Sequence, residues 1–410
     1  MTPDQLRIAM LSVHSCPIGT LGSKDTGGMS VYIRELAHEL GRIGHSVDIY
    51  TRAHDPDDDQ IVELGNNTRV IHLRVGDVEH IHKLVLYTHL ADMACSVENF
   101  RKSNALQYDL IHSHYWLSAW VGRQLQTWWH VPHITMFHTL GAVKNVIGIG
   151  EDEPELRVVS ERELVSDCHK IIAATQKEKA DLIHYYSAPQ EKVSVIPCGV
   201  NLSLFQSMDR ETARRHLGFN GYNIALFVGR VEPLKGIDQL FMAMPSLNRD
   251  REFKLVVIGG NDECEPELER LRNLSRDLNI QDSVVFIGTV RQEDLPFYYS
   301  AADVCVVPSY YESFGLVALE SLACGTPVVA TRVGGMESVV LPGKNGYLIN
   351  NNAPALFAES IAMLISGQTD PGESAEVIRS SVTGFSWSNI AAKMIGEYKA
   401  LLGESAKETN

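Results

Sequence analysis

The chain has 410 residues, a length that favours two domains, each large enough to bury a full core. Its formal net charge of −15 argues against nucleic acid or an anionic membrane as the main partner, because both bind basic surfaces. Seven cysteines, an odd number without a C-x-x-C pair, favour reduced thiols over a disulfide framework or structural zinc. No secretory signal pattern and no apolar run of about 18 residues is present, so we expect a cytoplasmic protein without stable membrane insertion.

Short β-type runs alternate with helical patterns along the chain, which predicts a doubly wound α/β fold. The first strand is expected at residues 7–13, and a loop rich in Gly and Ser leads from it to an amphipathic helix over about 29–42. Further strands of the first half are predicted at residues 46–50, 70–73, 110–113, 134–137, 170–174 and 193–196.

An irregular segment from Pro197 to about Ser207 predicts the linker between two domains. The alternation then restarts, with strands predicted at residues 223–228, 254–260, 284–287, 304–308 and 328–331. We therefore expect two Rossmann-like domains, residues 1–199 and 200–387, that face each other across a cleft. A helix over about 388–402 is expected to pack back on the first domain.

Two glycines, Gly27 and Gly28, precede the first predicted helix. Glycine at this place lets backbone N–H groups meet an anion at the helix N-terminus. The pair is also compatible with a plain turn, and it does not complete the G-x-G-x-x-G pattern of dinucleotide binding. A nicotinamide cofactor is therefore disfavoured.

Two cations with fixed spacing, Arg230 and Lys235, follow the apolar run at 223–228. Gly229 and Gly236 flank them and allow a ligand to approach the backbone closely. Such a pair could be solvated surface charge. At the carboxyl end of a strand in a parallel sheet, however, it suits a diphosphate, whose charge both side chains would neutralise.

Two carboxylates, Glu312 and Glu320, lie eight positions apart on either side of a helix start expected near Phe314. Carboxylates accept hydrogen bonds from hydroxyl groups, and the Gly315 region offers free N–H groups at a helix start. A solvent-facing helix with chance acidic residues is the alternative. Cations for phosphates and carboxylates for hydroxyls together predict a nucleotide-sugar site.

These segments resemble the family 4 retaining glycosyltransferases of the GT-B fold. The resemblance rests on G-R-x-x-x-x-K-G at residues 229–236, E-x7-E at 312–320, Gly27-Gly28 and the C-G-T-P-V-V-A run at 324–330. In the first half, residues 111–118 and 137–145 resemble the inositol-phosphate N-acetylglucosaminyltransferases of mycothiol biosynthesis and, more distantly, sucrose-phosphate synthases.

The resemblance implies roles for single residues. It places an acceptor phosphate on Lys83, Tyr115, Thr139 and Arg157, in surroundings that look loop-like at Lys83 and Arg157. It assigns the donor to Gly28, Arg230, Lys235, Arg291, Glu312, Phe314, Gly315, Leu316 and Glu320. Within this set Arg230 and Lys235 take the diphosphate, Glu312 the sugar, Glu320 the ribose, and the backbone around Arg291 the base. His138 lies beside the sugar and, with Arg230, Lys235 and Glu312, completes the implied catalytic set.

The implied reaction moves glucose or N-acetylglucosamine from a UDP-sugar to a small phosphorylated acceptor, with retention of anomeric configuration. Inositol 1-phosphate is the favoured acceptor and fructose 6-phosphate the next. A nucleotide-sugar epimerase or hydrolase, or a non-catalytic sensor, remains an alternative. No cofactor is required, and Mg²⁺ is left open without a dedicated metal site, because the histidines lack a spacing such as H-E-x-x-H. Relatives are often dimers, so a homodimer is also left open.

Overall fold

The structure, a computed structural model, describes residues 5–19, 26–76, 81–247, 253–260, 264–366 and 374–408. Its strands form one sheet of eight and one sheet of six. The strands are β1 Arg7–Leu11, β2 Ser46–Arg52, β3 Ile61–Gly65, β4 Thr68–Leu73, β5 Leu110–His114, β6 His133–Met136, β7 Lys170–Ala173, β8 Val193–Val195, β9 Asn223–Val228, β10 Phe253–Ile258, β11 Val284–Gly288, β12 Val304–Val307, β13 Val328–Thr331 and β14 Gly346–Ile349.

Helices connect and cover these strands. They are α1 Gly28–Arg42, α2 Lys83–Thr88, α3 Leu90–Ser103, α4 Trp116–Trp129, α5 Gly141–Ile147, α6 Glu155–Asp167, α7 Gln176–Tyr186, α8 Arg210–Leu217, α9 Ile237–Leu247, α10 Glu265–Asp277, α11 Leu295–Ala301, α12 Leu316–Ala323, α13 Met336–Val339, α14 Pro354–Ser366, α15 Ala375–Ser380 and α16 Trp387–Glu408. Within the described ranges, no helix is both long and apolar enough to cross a membrane.

Both sheets are wound outwards from their first strand. The order is β3-β4-β2-β1-β5-β6-β7-β8 in the first sheet and β11-β10-β9-β12-β13-β14 in the second. All of these pairs are parallel except β3 with β4. In such sheets, ligands bind outside the carboxyl ends of the strands where the order reverses, here beside β1 and β5 and beside β9 and β12.

Strand β1 shows why the sequence reads as near-continuous apolar runs. Ile8 and Met10 point to one buried cluster and Ala9 and Leu11 to another, and all four are fully buried. Successive side chains of a strand alternate between its faces, so a sheet covered by helices on both sides needs apolar residues at every position.

The last helix, α16, packs against the first domain although it follows the second in sequence. Trp387 at its start is 4% exposed, and its ring lies 5.3 Å from the ring of Tyr32 on α1. A Cβ on Gly199 would lie 2.5 Å from the Trp387 ring, so the crossing leaves room only for glycine. Tyr398, further along α16, hydrogen-bonds through its hydroxyl to His112 Nδ1 at 2.7 Å.

The strands predicted from sequence are present, with ends shifted by a few residues, but two further strands were missed. Strand β3 is an edge strand whose alternate residues are exposed, and β14 follows a turn, so neither has the long apolar run of a buried strand. Strand β10 ends at Ile258, before the predicted end, because Gly259 and Gly260 adopt positive φ angles of 124° and 84°.

Candidate active site

A cleft of about 370 Å³ lies between the two domains and is lined by residues of both. It gathers thirteen of the residues singled out from the sequence: Gly28, Lys83, Tyr115, His138, Thr139, Arg157, Arg230, Lys235, Glu312, Phe314, Gly315, Leu316 and Glu320. Their positions follow from the topology. Tyr115 directly follows β5, His138 follows β6, and Arg230 follows β9, each at the carboxyl end of a parallel strand.

The two cations that the second domain contributes to the cleft, Arg230 and Lys235, each lie beside a carboxylate. Lys235 Nζ is 2.6 Å from Glu312 Oε2, and the Arg230 guanidinium is 3.0 Å from Glu232 Oε1. Lys235 ends a short 3₁₀ turn that Gly236 terminates with a φ of 63°. A Cβ at Gly236 would lie 2.2 Å from the carbonyl oxygen of Pro308, so this turn is held tightly against the end of β12.

Glu320 is buried in the middle of α12, with 7% of its surface exposed. Its carboxylate accepts a hydrogen bond from the Tyr299 hydroxyl at 2.8 Å and another from the Gln292 amide. Burial raises the pKa of Glu320 to about 7. The Arg34 guanidinium on α1 donates a hydrogen bond to Gln292, so the chain of contacts from Arg34 to Glu320 spans both domains.

The start of α12 lies close to the start of α1 across the cleft. A Cβ at Gly28 would be 3.4 Å from Leu316 Cδ1. Gly315 has a φ of 95°, and a Cβ there would lie 1.7 Å from Met336 Cε, so only glycine fits before this helix. Free N–H groups at the start of a helix favour an anion.

Arg157 is the most enclosed charge of the cleft, with its side chain 1% exposed. Its Nε donates to Glu161 at 2.7 Å, and its Nη1 lies 2.8 Å from Glu153. Its Nη2 donates to the Thr139 carbonyl at 2.8 Å and to the Thr139 hydroxyl at 2.9 Å. Lys144 also pairs with Glu153, so a second lysine reaches this end of the cleft.

Tyr115 lies between two cations. The Lys83 ammonium is 5.6 Å and the Arg157 guanidinium carbon 4.8 Å from its ring centroid. Its backbone has φ 75° and ψ 156°, a conformation that only glycine adopts easily and that costs about 1–3 kcal/mol in other residues. Strain of this kind is concentrated at functional sites, where the surrounding packing maintains it.

The loop-like surroundings expected at residues 77–90 and 148–158 are wrong for Lys83 and Arg157 themselves, whereas residues 148–154 lie outside any helix and residues 77–80 lie outside the described residues. Lys83 is the first residue of α2, and Arg157 lies in the first turn of α6. Pro154 precedes α6 in an extended conformation and starts that helix. The first turn of each helix therefore contributes a cation to the lining of the cleft.

His138 also has a positive φ, of 60°. Its Nε2 is 2.9 Å from Nδ1 of His114, which is fully buried at the end of β5. Burial lowers the pKa of His138 to about 3, so the imidazole is neutral at physiological pH. It can therefore act on a sugar through a hydrogen bond rather than through a positive charge.

The backbone around Arg291 is expected to take the base, and the Arg291 side chain itself is not among the residues that line the cleft. It is 77% exposed and pairs with Asp294 at 2.9 Å, because it lies in the turn that precedes α11. Its neighbours Thr289, Val290 and Gln292 line the cleft instead. In the part of the chain that the structure describes, no group of three or more His, Cys, Asp or Glu residues could hold a metal ion.

The lining residues that were not given a role from the sequence include Lys144, Glu153, Gln292 and Tyr311. Lys144 lies in the segment 137–145, which carries part of the family resemblance, and Gln292 is adjacent to Arg291. Glu153 and Tyr311 give no local signal, since each is brought to the cleft by the packing of elements distant in sequence.

Residues 26–204 match the family described as Glycosyltransferase Family 4, and residues 209–382 match the one described as Glycosyl transferases group 1. The D-inositol 3-phosphate glycosyltransferase of Corynebacterium efficiens is 39% identical over 402 residues, 96% of this chain and 95% of that protein. The chain belongs to the family 4 glycosyltransferases. A D-inositol 3-phosphate glycosyltransferase 2 of Catenulispora acidiphila is likewise 39% identical over 407 residues, 96% of this chain and 94% of that protein.

Solved structures confirm the GT-B fold predicted for this glycosyltransferase. The sucrose-phosphate synthase of Thermosynechococcus elongatus has a TM-score of 0.88 and 34% identity, covering 98% of this chain and 100% of that one. The Anabaena protein HepE, solved in complex with UDP and glucose, has a TM-score of 0.75 at 20% identity, covering 96% and 100%. The predictions of a glycosyltransferase and of family 4 membership are thus confirmed.

Proposed function

We propose that this glycosyltransferase moves glucose or N-acetylglucosamine from a UDP-sugar to a small phosphorylated acceptor, with retention of configuration. The observation that carries the proposal is a cleft with two separate cationic groups. Arg230 and Lys235 approach from the second domain, and Lys83 and Arg157 approach from the first. Two cationic groups in one cleft suit two anions, the diphosphate of a donor and the phosphate of an acceptor.

On the donor side, Arg230 and Lys235 stabilise the charge that develops on the departing diphosphate, and stabilisation of this kind usually contributes most to the rate enhancement. Glu312, 2.6 Å from Lys235, is placed to accept hydrogen bonds from the sugar next to that diphosphate. Glu320, the fifth residue of α12 and about one turn from its start, is placed for the ribose. Uridine rests on the family resemblance and on the likeness in fold to HepE, which was solved with UDP and glucose.

The carboxylates of the cleft support retention without a covalent sugar–enzyme intermediate. Each is engaged by a cation or a hydroxyl: Glu153 by Arg157, Glu232 by Arg230, Glu312 by Lys235 and Glu320 by Tyr299. The family resemblance implies retention, and none of these four carboxylates is assigned as a nucleophile beneath the sugar. We therefore infer same-face attack through an oxocarbenium-like state, in which an oxygen of the leaving phosphate takes the proton of the acceptor hydroxyl.

On the acceptor side, an inositol phosphate is favoured because two relatives, each 39% identical to this chain, are named for inositol 3-phosphate. Lys83 and Arg157 supply charge, while the hydroxyls of Tyr115 and Thr139 donate, which makes a complete phosphate cradle. The D-1- and D-3-phosphates of myo-inositol are mirror images, so the choice between them is a choice of chirality at this cradle.

Fructose 6-phosphate is the second candidate acceptor. It is favoured by the similarity to the sucrose-phosphate synthase of Thermosynechococcus elongatus, with 34% identity over 98% of this chain. Both candidates carry a phosphate on a polyhydroxylated ring or chain. The same four residues could therefore hold either, and the hydroxyl pattern beyond the phosphate decides between them.

A mass-spectrometric screen tests the proposal. It crosses UDP-glucose, UDP-N-acetylglucosamine, GDP-glucose and ADP-glucose with both inositol phosphate enantiomers, fructose 6-phosphate and the dephosphorylated form of each. We expect a product only from a UDP-sugar and a phosphorylated acceptor, with the anomeric configuration of the donor by NMR. Equal reaction of the dephosphorylated acceptor would contradict the phosphate cradle. Rapid consumption of donor without acceptor would instead indicate an epimerase or a hydrolase.

A further inference from the structure

Beneath the cleft, the first domain contains a line of buried imidazoles. His112 and His114 lie on β5, both fully buried, with their ring centroids 4.3 Å apart. His114 continues the line to His138 at the cleft through the 2.9 Å contact between its Nδ1 and Nε2 of His138. Tyr32 on α1 packs edge-on against both partners of this contact, with centroids 5.7 Å from His114 and 5.2 Å from His138.

The contact between the two rings can be made in only two ways when both are neutral. Burial lowers the pKa of both rings, so each carries a single N–H. Either His114 donates from Nδ1 and His138 accepts at Nε2, or His138 donates from Nε2 and His114 accepts at Nδ1.

The second nitrogen of His114 decides between the two arrangements. His114 Nε2 is buried and has no hydrogen-bond partner among the described residues. If His114 accepted at Nδ1, its N–H would have to be on Nε2, as a buried donor without an acceptor. A buried donor or acceptor without a partner costs about 1–3 kcal/mol. Orphaned buried N–H groups are rarer than acceptors that lack a donor, which favours the arrangement with the bare nitrogen at Nε2.

We propose that His114 is a positioning residue that fixes the tautomer of His138: it donates its Nδ1–H to Nε2 of His138, so that His138 carries its own proton on Nδ1. This inference rests on the proposed function, because it takes the ligand of His138 to be the transferred sugar. With Nε2 committed to His114, Nδ1 is the nitrogen left for the cleft that His138 lines. His138 then presents an N–H donor to an oxygen of the sugar.

The surroundings hold this arrangement in place. The positive φ of His138, 60°, fixes how its ring leaves the backbone after β6. His112 packs against His114 with the two rings tilted by 42°, and its Nδ1 is hydrogen-bonded to the Tyr398 hydroxyl of α16 at 2.7 Å. The imidazole pair therefore has packed neighbours from α1 and β5, which limit rotation of both rings.

Nitrogen NMR tests the tautomer without any substrate. The chain has 16 histidines, so the imidazole signals of protein labelled with ¹⁵N-histidine are assigned to His138 and His114 by their loss in His138→Gln and His114→Asn. We expect both rings to be neutral with the proton on Nδ1. A His138 signal with the proton on Nε2 overturns the proposal. This readout stays valid even if the proposed donor and acceptor are wrong, so the two failures are distinguishable.

Kinetics of two variants test the consequence. An asparagine at 114 keeps an N–H donor near the position of Nδ1, whereas a phenylalanine keeps the ring and removes the donor. We expect His114→Phe to lower kcat at least about tenfold with little change in KM, since a wrong imidazole tautomer is severely damaging in other enzymes. His114→Asn should recover much of that loss. Equal kcat in both variants contradicts the proposal.

The matched control is His133→Phe. His133 is also fully buried, on the neighbouring strand β6, and hydrogen-bonds to Ser113, but it does not line the cleft. We expect this variant to lower the melting temperature about as much as His114→Phe while leaving kcat within about twofold. A similar fall in kcat would assign the effect of His114→Phe to packing alone.

Discussion

Lys235 and Glu312 show how charges of the cleft are held in pairs. Their side chains are each 18% exposed and form one ion pair at 2.6 Å. Under the proposed function, a diphosphate bound by Lys235 would compete with this carboxylate, and its sugar would bind next to it. The ion pair keeps both side chains oriented, which would lower the entropy lost on binding.

We predict that Lys235→Ala lowers kcat by about 10²-fold or more, the usual effect of removing one charge-stabilising donor from a transition state. Steady-state kinetics with the donor and acceptor found in the screen measure it. Lys344→Ala, at an exposed position of the same domain, is the control and should leave kcat unchanged. Near-normal turnover of Lys235→Ala would remove Lys235 from the catalytic set.

We predict that the affinity for UDP rises with pH through about 7. Burial raises the pKa of Glu320 to about 7, so its carboxyl is protonated below that pH and loses acceptor capacity for the ribose hydroxyls. Calorimetric titration with UDP between pH 6 and 8 measures the effect. In Glu320→Gln the contribution of this group disappears, so any slope that remains belongs to the nucleotide itself. An unchanged slope in that variant contradicts the assignment.

The sequence reveals those site residues whose chemistry lies in one short segment. Arg230 with Lys235, and Glu312 with Glu320, can be found because spacing and flanking glycines carry the signal. In the sequence, nothing distinguishes His114 from the other histidines near a strand end. The role proposed for it depends on its contact with His138 in the loop after β6. Contacts of this kind exist only once the strands are adjacent.

At the scale of elements, helix α1 reaches across the cleft. Arg34 donates to Gln292, and Gln292 in turn donates to Glu320. A second contact joins the domains nearby, between Asn201 and Glu35 at 3.1 Å. The first domain thus touches the hydrogen-bond network around Glu320, which is the ribose residue of the proposed donor site.

We predict that Arg34→Ala weakens UDP binding about tenfold, because hydrogen bonds that involve a charged group contribute about 1.5–3 kcal/mol. The same titration with UDP measures it. Arg42→Ala, in the last turn of the same helix, removes a guanidinium whose side chain is 51% exposed and pairs with Glu39. It should bind UDP normally. Equal affinities for the two variants would mean that α1 does not act on the donor site.

Helices and strands could be predicted from the sequence where one pattern of apolar and polar residues runs through the whole element. The buried strands β9 and β13 were predicted with the bounds that the structure has, because their residues are apolar on both faces. The sequence instead predicts loops around the starts of helices α2 and α6. α2 spans only the six residues Lys83–Thr88, and the first turn of α6 follows a polar, proline-containing segment, so neither start shows helical periodicity.

At the scale of the whole molecule, one of the buried hydrophobic clusters is shared by the two domains, beside a separate cluster within each. A single cluster runs from Ile8 of β1 through Val200 and Phe205 to Leu226 of β9, and it includes Trp387 and Leu401 of α16. Arg379 adds polar contacts, since its guanidinium donates to the backbone carbonyls of Leu202 at 2.7 Å, Phe205 and Ala323. The linker is therefore packed on both sides.

We predict that Trp387→Ala lowers the free energy of unfolding by about 3–5 kcal/mol, the usual cost of removing a buried aromatic ring. Denaturant unfolding followed by circular dichroism measures it. The control is Trp128→Ala, at a position that is 41% exposed, where a change within about 0.5 kcal/mol is expected. A loss below about 1 kcal/mol for Trp387→Ala would contradict a stabilising role for the crossing.

The number of domains and their fold class could be predicted from the chain length and from the alternation of strand and helix patterns, because each domain repeats one βα pattern. Their relative placement could not be predicted in that way. It depends on contacts such as the Tyr311 hydroxyl with the Leu140 amide at 3.4 Å, between residues 171 positions apart. No local pattern encodes such a distance.

The return of α16 has a practical consequence for protein engineering. A chimaera that combines the acceptor half of one relative with the donor half of another has to take its closing helix from the acceptor parent. A fusion made at the interdomain linker alone would set a foreign Trp387 and Tyr398 against the Gly199 and His112 of the other parent. Such hybrids should fold best when assembled from three pieces rather than two.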